Sequence, residues 1–323
     1  MRHLGRHGRA LLVLTSVVAM MAAVAPASQA QDGTTVTVGS KDFTEQVVVG
    51  ELLSLLLEDA GYTVERQLNL GGTAIVHQAL VSGEIDTYVE YTGTGLLAIL
   101  NMQIPATPMA GATPDMASPS AATPAASGGT DAVYEIVSQE YQSQFGIQWL
   151  DPLGFNNTYT LAMRQEQAQE LGITKISDLV GVAGDLRFGA TQEFLTRPDG
   201  LPGLTQTYGL EFAESQGMDP GITYQALDTE EVDVISAFAT DGRIPALGLV
   251  TLEDDLGFFP PYFAAPVVRQ ELLDQDPQVR EVLNQLAGLI DDQTMADLNA
   301  QVDSEGEEAE DVARAFLEEQ GLL

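Results

Sequence analysis

Gln78-Ala79-Leu80-Val81-Ser82-Gly83-Glu84-Ile85-Asp86 and Gln225-Ala226-Leu227-Asp228-Thr229-Glu230-Glu231-Val232-Asp233 share one pattern, 147 residues apart. Extended to Thr92 and Ala239, five of 15 positions are identical, and Ser/Thr, Ile/Val and Tyr/Phe pair conservatively. Each copy reads as a helix, an acidic turn and a strand ending in an aromatic residue, Tyr91 or Phe238. A further echo lies upstream: Val38-Gly39-Ser40-Lys41 with Phe43, and Phe188-Gly189-Ala190-Thr191 with Phe194. The period is far longer than that of solenoid repeats. It predicts two similar α/β lobes, with chance likeness of two helix–turn–strand units as the alternative. Open sheets of this kind bind ligands beyond the carboxyl ends of their strands, so two facing lobes make a cleft into which Tyr91 and Phe238 point.

Working outward, Thr35–Gly39 alternates as a strand. Asp42, with Glu45 three residues on, is expected to cap a helix whose apolar face carries Val48, Val49, Leu52, Leu53, Leu56 and Leu57. Thr63–Leu68 reads as a strand, Thr73 to Val81 as a helix, Ile85–Tyr91 as a strand, and Gly95–Leu100 as the start of a helix. Such alternation favours a largely parallel sheet with helices on its faces. It resumes from Thr158 to about Glu253. From Pro277 to the end, two or three amphipathic helices are expected. Residues 103–130 break the pattern: 23 of 28 are Ala, Thr, Pro, Ser or Gly, and five are Pro. That composition buries too little apolar surface to order itself, and reads as a flexible surface insertion or a glycosylated stalk.

Composition narrows the function. Across 323 residues, 13 Lys and Arg face 47 Asp and Glu, a net charge of −34, whereas a general nucleic-acid binder carries a basic footprint. The absence of cysteine excludes disulfides, thiolate metal sites and cysteine nucleophiles. Residues 1–30 resemble a secretory leader: Arg2, Arg6 and Arg9, then the apolar run Ala10–Ala25, then Ser28-Gln29-Ala30. The run is short for a membrane span. Without those three arginines, ten basic residues face 47 acidic ones, a net charge of −37. The mature chain is therefore expected to work outside the cytoplasm, in the periplasm or on the cell surface.

Several motifs have ordinary alternatives. Gly93-Thr94-Gly95-Leu96-Leu97-Ala98 fits G-x-G-x-x-A, but an acidic ribose partner would fall in the insertion, so a dinucleotide is rejected. What survives is a helix start that favours an anionic group such as a carboxylate. Lys41 reads as a solvated cap residue or a ligand for such an anion. Arg197 can pair with Glu193 one helical turn away. Tyr159 and Tyr262 can be ordinary core or edge aromatics, and His77 a packed helix residue. No nucleophile elbow or EF-hand loop is present.

Gly39-Ser40-Lys41-Asp42-Phe43-Thr44-Glu45-Gln46, Leu70-Gly71-Gly72-Thr73, Glu90-Tyr91-Thr92-Gly93-Thr94-Gly95, Leu153-Gly154-Phe155-Asn156-Asn157-Thr158-Tyr159 and Thr240-Asp241-Gly242-Arg243-Ile244, with Ser82–Asp86, occur in order. Together they resemble the substrate-binding proteins of ABC transporters for quaternary-ammonium osmoprotectants: glycine betaine, choline or carnitine. The resemblance covers nearly the whole chain after residue 30 except the insertion. It implies a two-lobed periplasmic-binding-protein fold (type II-like) with two crossover hinge strands and a ligand cleft between the lobes. Lobe I would hold residues 31–155 and 259–323, and lobe II residues 156–258. It further implies an aromatic cage of Tyr91, Tyr159 and Tyr262, with Phe238 where the family usually has Tyr. Lys41, Thr94 and Arg197 match positions that bind the ligand carboxylate, and Glu193 and Asn157 match polar positions near the cage, the second often Asp.

The chemistry agrees with that resemblance. A trimethylammonium donates no hydrogen bond and is recognised by aromatic faces, at roughly 0.5–2 kcal/mol each. A zwitterion also needs a carboxylate partner, and arginine can supply one bidentately. The implied activity is capture and delivery to a membrane permease with a separate ATPase, by a monomer that is not an enzyme and carries no cofactor or metal. The alternatives are a receptor for an amino acid or another compatible solute, a carboxylate-based hydrolase, and a sensor or adhesion domain.

Overall fold

The computed structural model describes residues 33–103 and 127–323. The leader reading of residues 1–30 and most of the insertion, 104–126, lie outside the described residues. The first sheet is built from β1 (Thr35–Gly39), β2 (Thr63–Gln67), β3 (Thr87–Tyr91) and β4 (Ile147–Trp149). Its helices are α1 (Thr44–Asp59), α2 (Thr73–Ser82) and α4 (Ser127–Phe145). Between β3 and α4, the helical turn α3 (Thr92–Thr94) runs into a π-helical stretch, Gly95–Ile99. Helix α4 begins four residues earlier than expected, inside the segment read as low-complexity.

The second sheet is formed by β5 (Tyr159–Arg164), β6 (Arg187–Thr191), β7 (Glu214–Met218), β8 (Val234–Phe238) and β9 (Leu249–Leu252). It carries α5 (Gln165–Leu171), α6 (Leu201–Tyr208), α7 (Pro220–Asp228) and α8 (Arg243–Ala246). The chain then returns to the first sheet through β10 (Ala264–Arg269). It ends in α9 (Gln270–Gln275), α10 (Gln278–Leu283), α11 (Asp292–Asp303) and α12 (Ala309–Glu319). The expected C-terminal helices are therefore present as three, joined by short turns.

The strand orders, β2-β1-β3-β10-β4 and β7-β6-β8-β5-β9, show one plan used twice. In each lobe three parallel strands are followed by an antiparallel strand contributed from the far side of a crossover. The repeated acidic turn explains why the sequences echo. Asp86 accepts the backbone N–H of Thr37 in β1 (2.9 Å) and a hydrogen bond from Arg269, the last residue of β10 (3.0 Å). Asp233 accepts the backbone N–H of Arg187 in β6 (2.9 Å) and a hydrogen bond from Arg164, the last residue of β5 (3.3 Å). One carboxylate per lobe thus ties the first strand to the returning strand.

The crossovers run side by side. Asn156 bridges Phe263, Asn157 N–H donates to the Tyr262 carbonyl (3.1 Å), and Tyr262 N–H donates to Asn156 Oδ1 (2.7 Å). This narrow pair of strands is where one lobe can turn against the other. Helix α1 is buried nearly all round, Leu55 and Ser54 included, because α10, α11 and α12 cover the side away from the sheet. Asp42 and Glu45 do not form the expected cap. Phe43 is the N-cap residue and offers no side-chain hydrogen bond, and Glu45 is 3% exposed. Among the described residues no helix is long and apolar enough to cross a membrane.

Candidate functional site

All nine residues singled out in the sequence (Lys41, Tyr91, Thr94, Asn157, Tyr159, Glu193, Arg197, Phe238 and Tyr262) line one cavity of about 440 Å³ between the lobes. Tyr91 ends β3 and Phe238 ends β8, so the repeat delivers one ring from each lobe to the same space. Tyr159 opens β5 just past one crossover, and Tyr262 sits on the other. Tyr159 and Tyr262 meet edge to face at 5.5 Å, and Tyr159 lies 5.1 Å from Phe238. Phe43, which sequence reasoning left out of the site, completes the wall. It stacks on Phe238 at 5.2 Å and 6°, and on Tyr91 at 6.3 Å. The signal was available, because Phe43 sits two residues beyond Lys41 in the same motif.

The two cations are not solvated. Lys41 is 4% exposed and its Nζ donates to Glu90 Oε1 at 2.6 Å; Glu90 is fully buried. Glu90 also accepts the backbone N–H of Tyr91 (2.7 Å) and the hydroxyl of Tyr88 (2.9 Å). Arg197 is held bidentately by Asp199, Nε to Oδ1 at 2.8 Å and Nη2 to Oδ2 at 2.5 Å. Its Nη2 also donates to Thr94 Oγ1 (3.2 Å), and Tyr262 donates its hydroxyl to Asp199 Oδ2 (2.7 Å). The i−4 partner Glu193 is farther, at 3.7 Å. Burial alone would lower the Arg197 pKa, but Tyr159, Asp199 and Tyr262 outweigh it and keep the guanidinium charged. Glu90 and Asp199 are therefore the counter-charges that let two cations be buried, and neither role is legible in the local sequence. The cations also face rings: Lys41 Nζ lies 5.1 Å from the Tyr91 centroid and Arg197 Cζ 5.6 Å from that of Tyr159.

Behind Tyr91 lies a third carboxylate. Glu45 accepts hydrogen bonds from the Tyr91 hydroxyl (2.6 Å), Asn157 Nδ2 (2.8 Å), Asn299 Nδ2 (3.2 Å) and the Thr240 hydroxyl. Burial pushes its pKa up, and these donors offset part of the rise. Its local spacing imitated a capping box while its tertiary role is to fix Tyr91 and Asn157. With Nδ2 so committed, Asn157 Oδ1 is buried without a hydrogen-bond partner among the described residues.

Glu193 reaches across the cleft: Oε1 accepts the backbone N–H of Thr73 (2.6 Å) and Oε2 the Thr73 hydroxyl (3.1 Å). At the same rim, the Asp42 pKa is raised by burial and by the nearby charges of Glu193 and Asp219. His77 stands outside the cavity, edge-on to Tyr141 and Phe145, as its packed reading expects. Among the described residues no cluster of three or more His, Asp or Glu side chains is arranged to hold a metal.

Comparisons with known proteins agree with this architecture. Residues 34–319 match the OpuAC model, described as the substrate binding domain of ABC-type glycine betaine transport system. The chain is 35% identical, over 90% of its length and 89% of the relative's, to a glycine-betaine-binding protein of Pseudomonas aeruginosa. It is also 35% identical, over 88% of its length, to the ergothioneine transport permease/ergothioneine binding protein EgtU of Helicobacter pylori, but spans only 47% of that longer protein. A crystal structure described as a glycine betaine/carnitine/choline ABC transporter shares 31% identity at a TM-score of 0.68, covering 89% of this chain and 99% of that one. The chain belongs to the OpuAC family, the substrate-binding domains of ABC-type glycine betaine transport systems.

Proposed function

We propose that this protein captures a small trimethylammonium compound in the cavity between its lobes and presents it to a membrane permease driven by a separate ATPase. The observation that carries this reading is the ring set. Tyr91, Tyr159, Phe238, Tyr262 and the added Phe43 line one cavity from both lobes. Faces of this kind attract a methylated cation that cannot donate a hydrogen bond, at roughly 0.5–2 kcal/mol per ring. At the other end, Lys41 has two further N–H groups beyond the one given to Glu90, and Arg197 and Thr94 stand beside it. They suit the carboxylate of a betaine. The rings at one end and the cations at the other suit recognition and holding of a zwitterion. Work outside the cytoplasm, a monomeric state, and lobes divided at 155/156 and 258/259 belong to the same proposal.

The relatives named for glycine betaine and for ergothioneine both suggest betaines, which share the trimethylammonium and the carboxylate. The test is calorimetric titration of the purified protein with glycine betaine, choline, carnitine and ergothioneine. Saturable binding of at least one, weakened about tenfold or more by Tyr159→Ala, is the expected result. No heat from any of the four, with a protein shown to be folded, would contradict the reading.

A further inference from the structure

From Glu193, Thr73 and Gly72 we infer a latch that holds the lobes shut over the ligand, in which Glu193 acts as a positioning residue rather than a ligand contact. The inference rests on the binding reading above. Glu193 belongs to the second lobe and Thr73 is the first residue of α2 in the first. The carboxylate takes both donors that Thr73 offers, at 2.6 and 3.1 Å. It therefore occupies the positive end of a ten-residue helix whose own N-cap, Gly72, has no side chain to do so. A side chain from the opposite lobe caps the helix, and the bond exists only while the lobes are together.

Gly72 is the second half of the device. A Cβ there would lie 2.2 Å from Glu193 Oε1 and 2.9 Å from its Cδ. Its backbone, φ −72° and ψ 178°, is one any residue adopts, so the missing side chain answers to the approach of Glu193 and not to the local fold. The latch is also joined to the ligand end of the site. Glu193 and Arg197 lie on one helical turn, with Arg197 N–H bonded to the Glu193 carbonyl (2.9 Å). Thr73 Oγ1 accepts from Arg197 Nη1 (3.5 Å) while donating to Glu193. Swinging that turn into place for the ligand sets Glu193 on the helix in the same movement.

The test is a double-mutant cycle with two readouts. The chain has no cysteine, so Gln78→Cys on α2 and Gln225→Cys on α7, both exposed, accept a dye pair that reports lobe separation by energy transfer. Glycine betaine titration gives the affinity, and the dyes give the closed fraction with and without it. Gly72→Ala is expected to weaken binding about tenfold and deplete the closed fraction while leaving the melting temperature unchanged. Glu193→Ala is expected to weaken it comparably, and Glu193→Gln, which keeps an acceptor, less. In the Glu193→Ala background Gly72→Ala is expected to cost less than twofold, because the atom it strikes is gone. Equal cost of Gly72→Ala in both backgrounds, wild-type closure by Gly72→Ala, or a wild-type protein that never leaves its open state would overturn the latch. If glycine betaine fails to bind but the ligand-free closed fraction follows the same cycle, the latch stands and the ligand class falls.

Discussion

The two lobes share a scaffold and differ where they meet the cavity. Both run three parallel strands into an antiparallel return strand, and both tie that return with an aspartate, Asp86 or Asp233. At the cleft the equivalence stops. Tyr91 is buried, and its hydroxyl donates to Glu45 and accepts from Gln46. Phe238, its counterpart, has no hydroxyl and is only half-buried. The turn differs as well. Gly83 sits at φ 77°, while its counterpart Glu230 takes φ 61° with a full side chain. The shared strand order belongs to the scaffold, and the proposed binding chemistry lies in the residues by which the two lobes differ.

Breaking the shared tie should have the largest effect. Burial pushes Asp233 up, but hydrogen bonds from Arg187 and Gln167 outweigh it and hold the carboxyl well below its ordinary 3.8. A lowered native pKa contributes stability above the ordinary value and loses it as pH falls through the native one. Asp233→Asn should therefore cost about 2–3 kcal/mol in urea unfolding at pH 7, with the gap narrowing below about pH 4. A gap that does not change with pH would remove the charged tie from the account. Next, Tyr91→Phe strips a donor from buried Glu45 and should cost about 1–2 kcal/mol. Glu230→Gly makes the second turn like the first and should raise stability by about 1 kcal/mol, read by the same unfolding curves. The smallest effect is expected from Phe238→Tyr. It adds a hydroxyl but keeps the ring face, so ligand affinity should move by no more than about threefold.

Much of this was legible in the sequence because it is local or repeated. The two copies of the helix–acidic turn–strand unit announce two lobes, and the aromatic ends of β3 and β8 announce the cleft. Lys41 and Tyr159 lie in long ordered motifs, and Arg197 and Tyr262 come from the family resemblance. What escaped depends on distance in the chain or on burial. Glu90 neutralises Lys41 from 49 residues away, and only sheet pairing brings them together. Glu45 had the spacing of a cap residue, but packing under α11 turned it inward. Gly72 stood in a quoted motif, yet its meaning lies in the close approach of Glu193 from the other lobe. Asp199 is two residues from Arg197, but helical spacing points to Glu193 at i−4 as the partner, and only the turn at Pro198 brings the nearer carboxylate round.

The proposed function requires that aromatic faces select a fully methylated cation. Its most direct test is the affinity of the wild-type protein, by calorimetry at one salt concentration, for glycine betaine, dimethylglycine, sarcosine and glycine. The carboxylate is constant across the series and only the number of N–H groups changes. Affinity should fall at every lost methyl, by at least tenfold in total, because each N–H must surrender water to rings that cannot replace it. Glycine bound as tightly as glycine betaine would contradict it, and would move recognition from the rings to the charged end of the cavity.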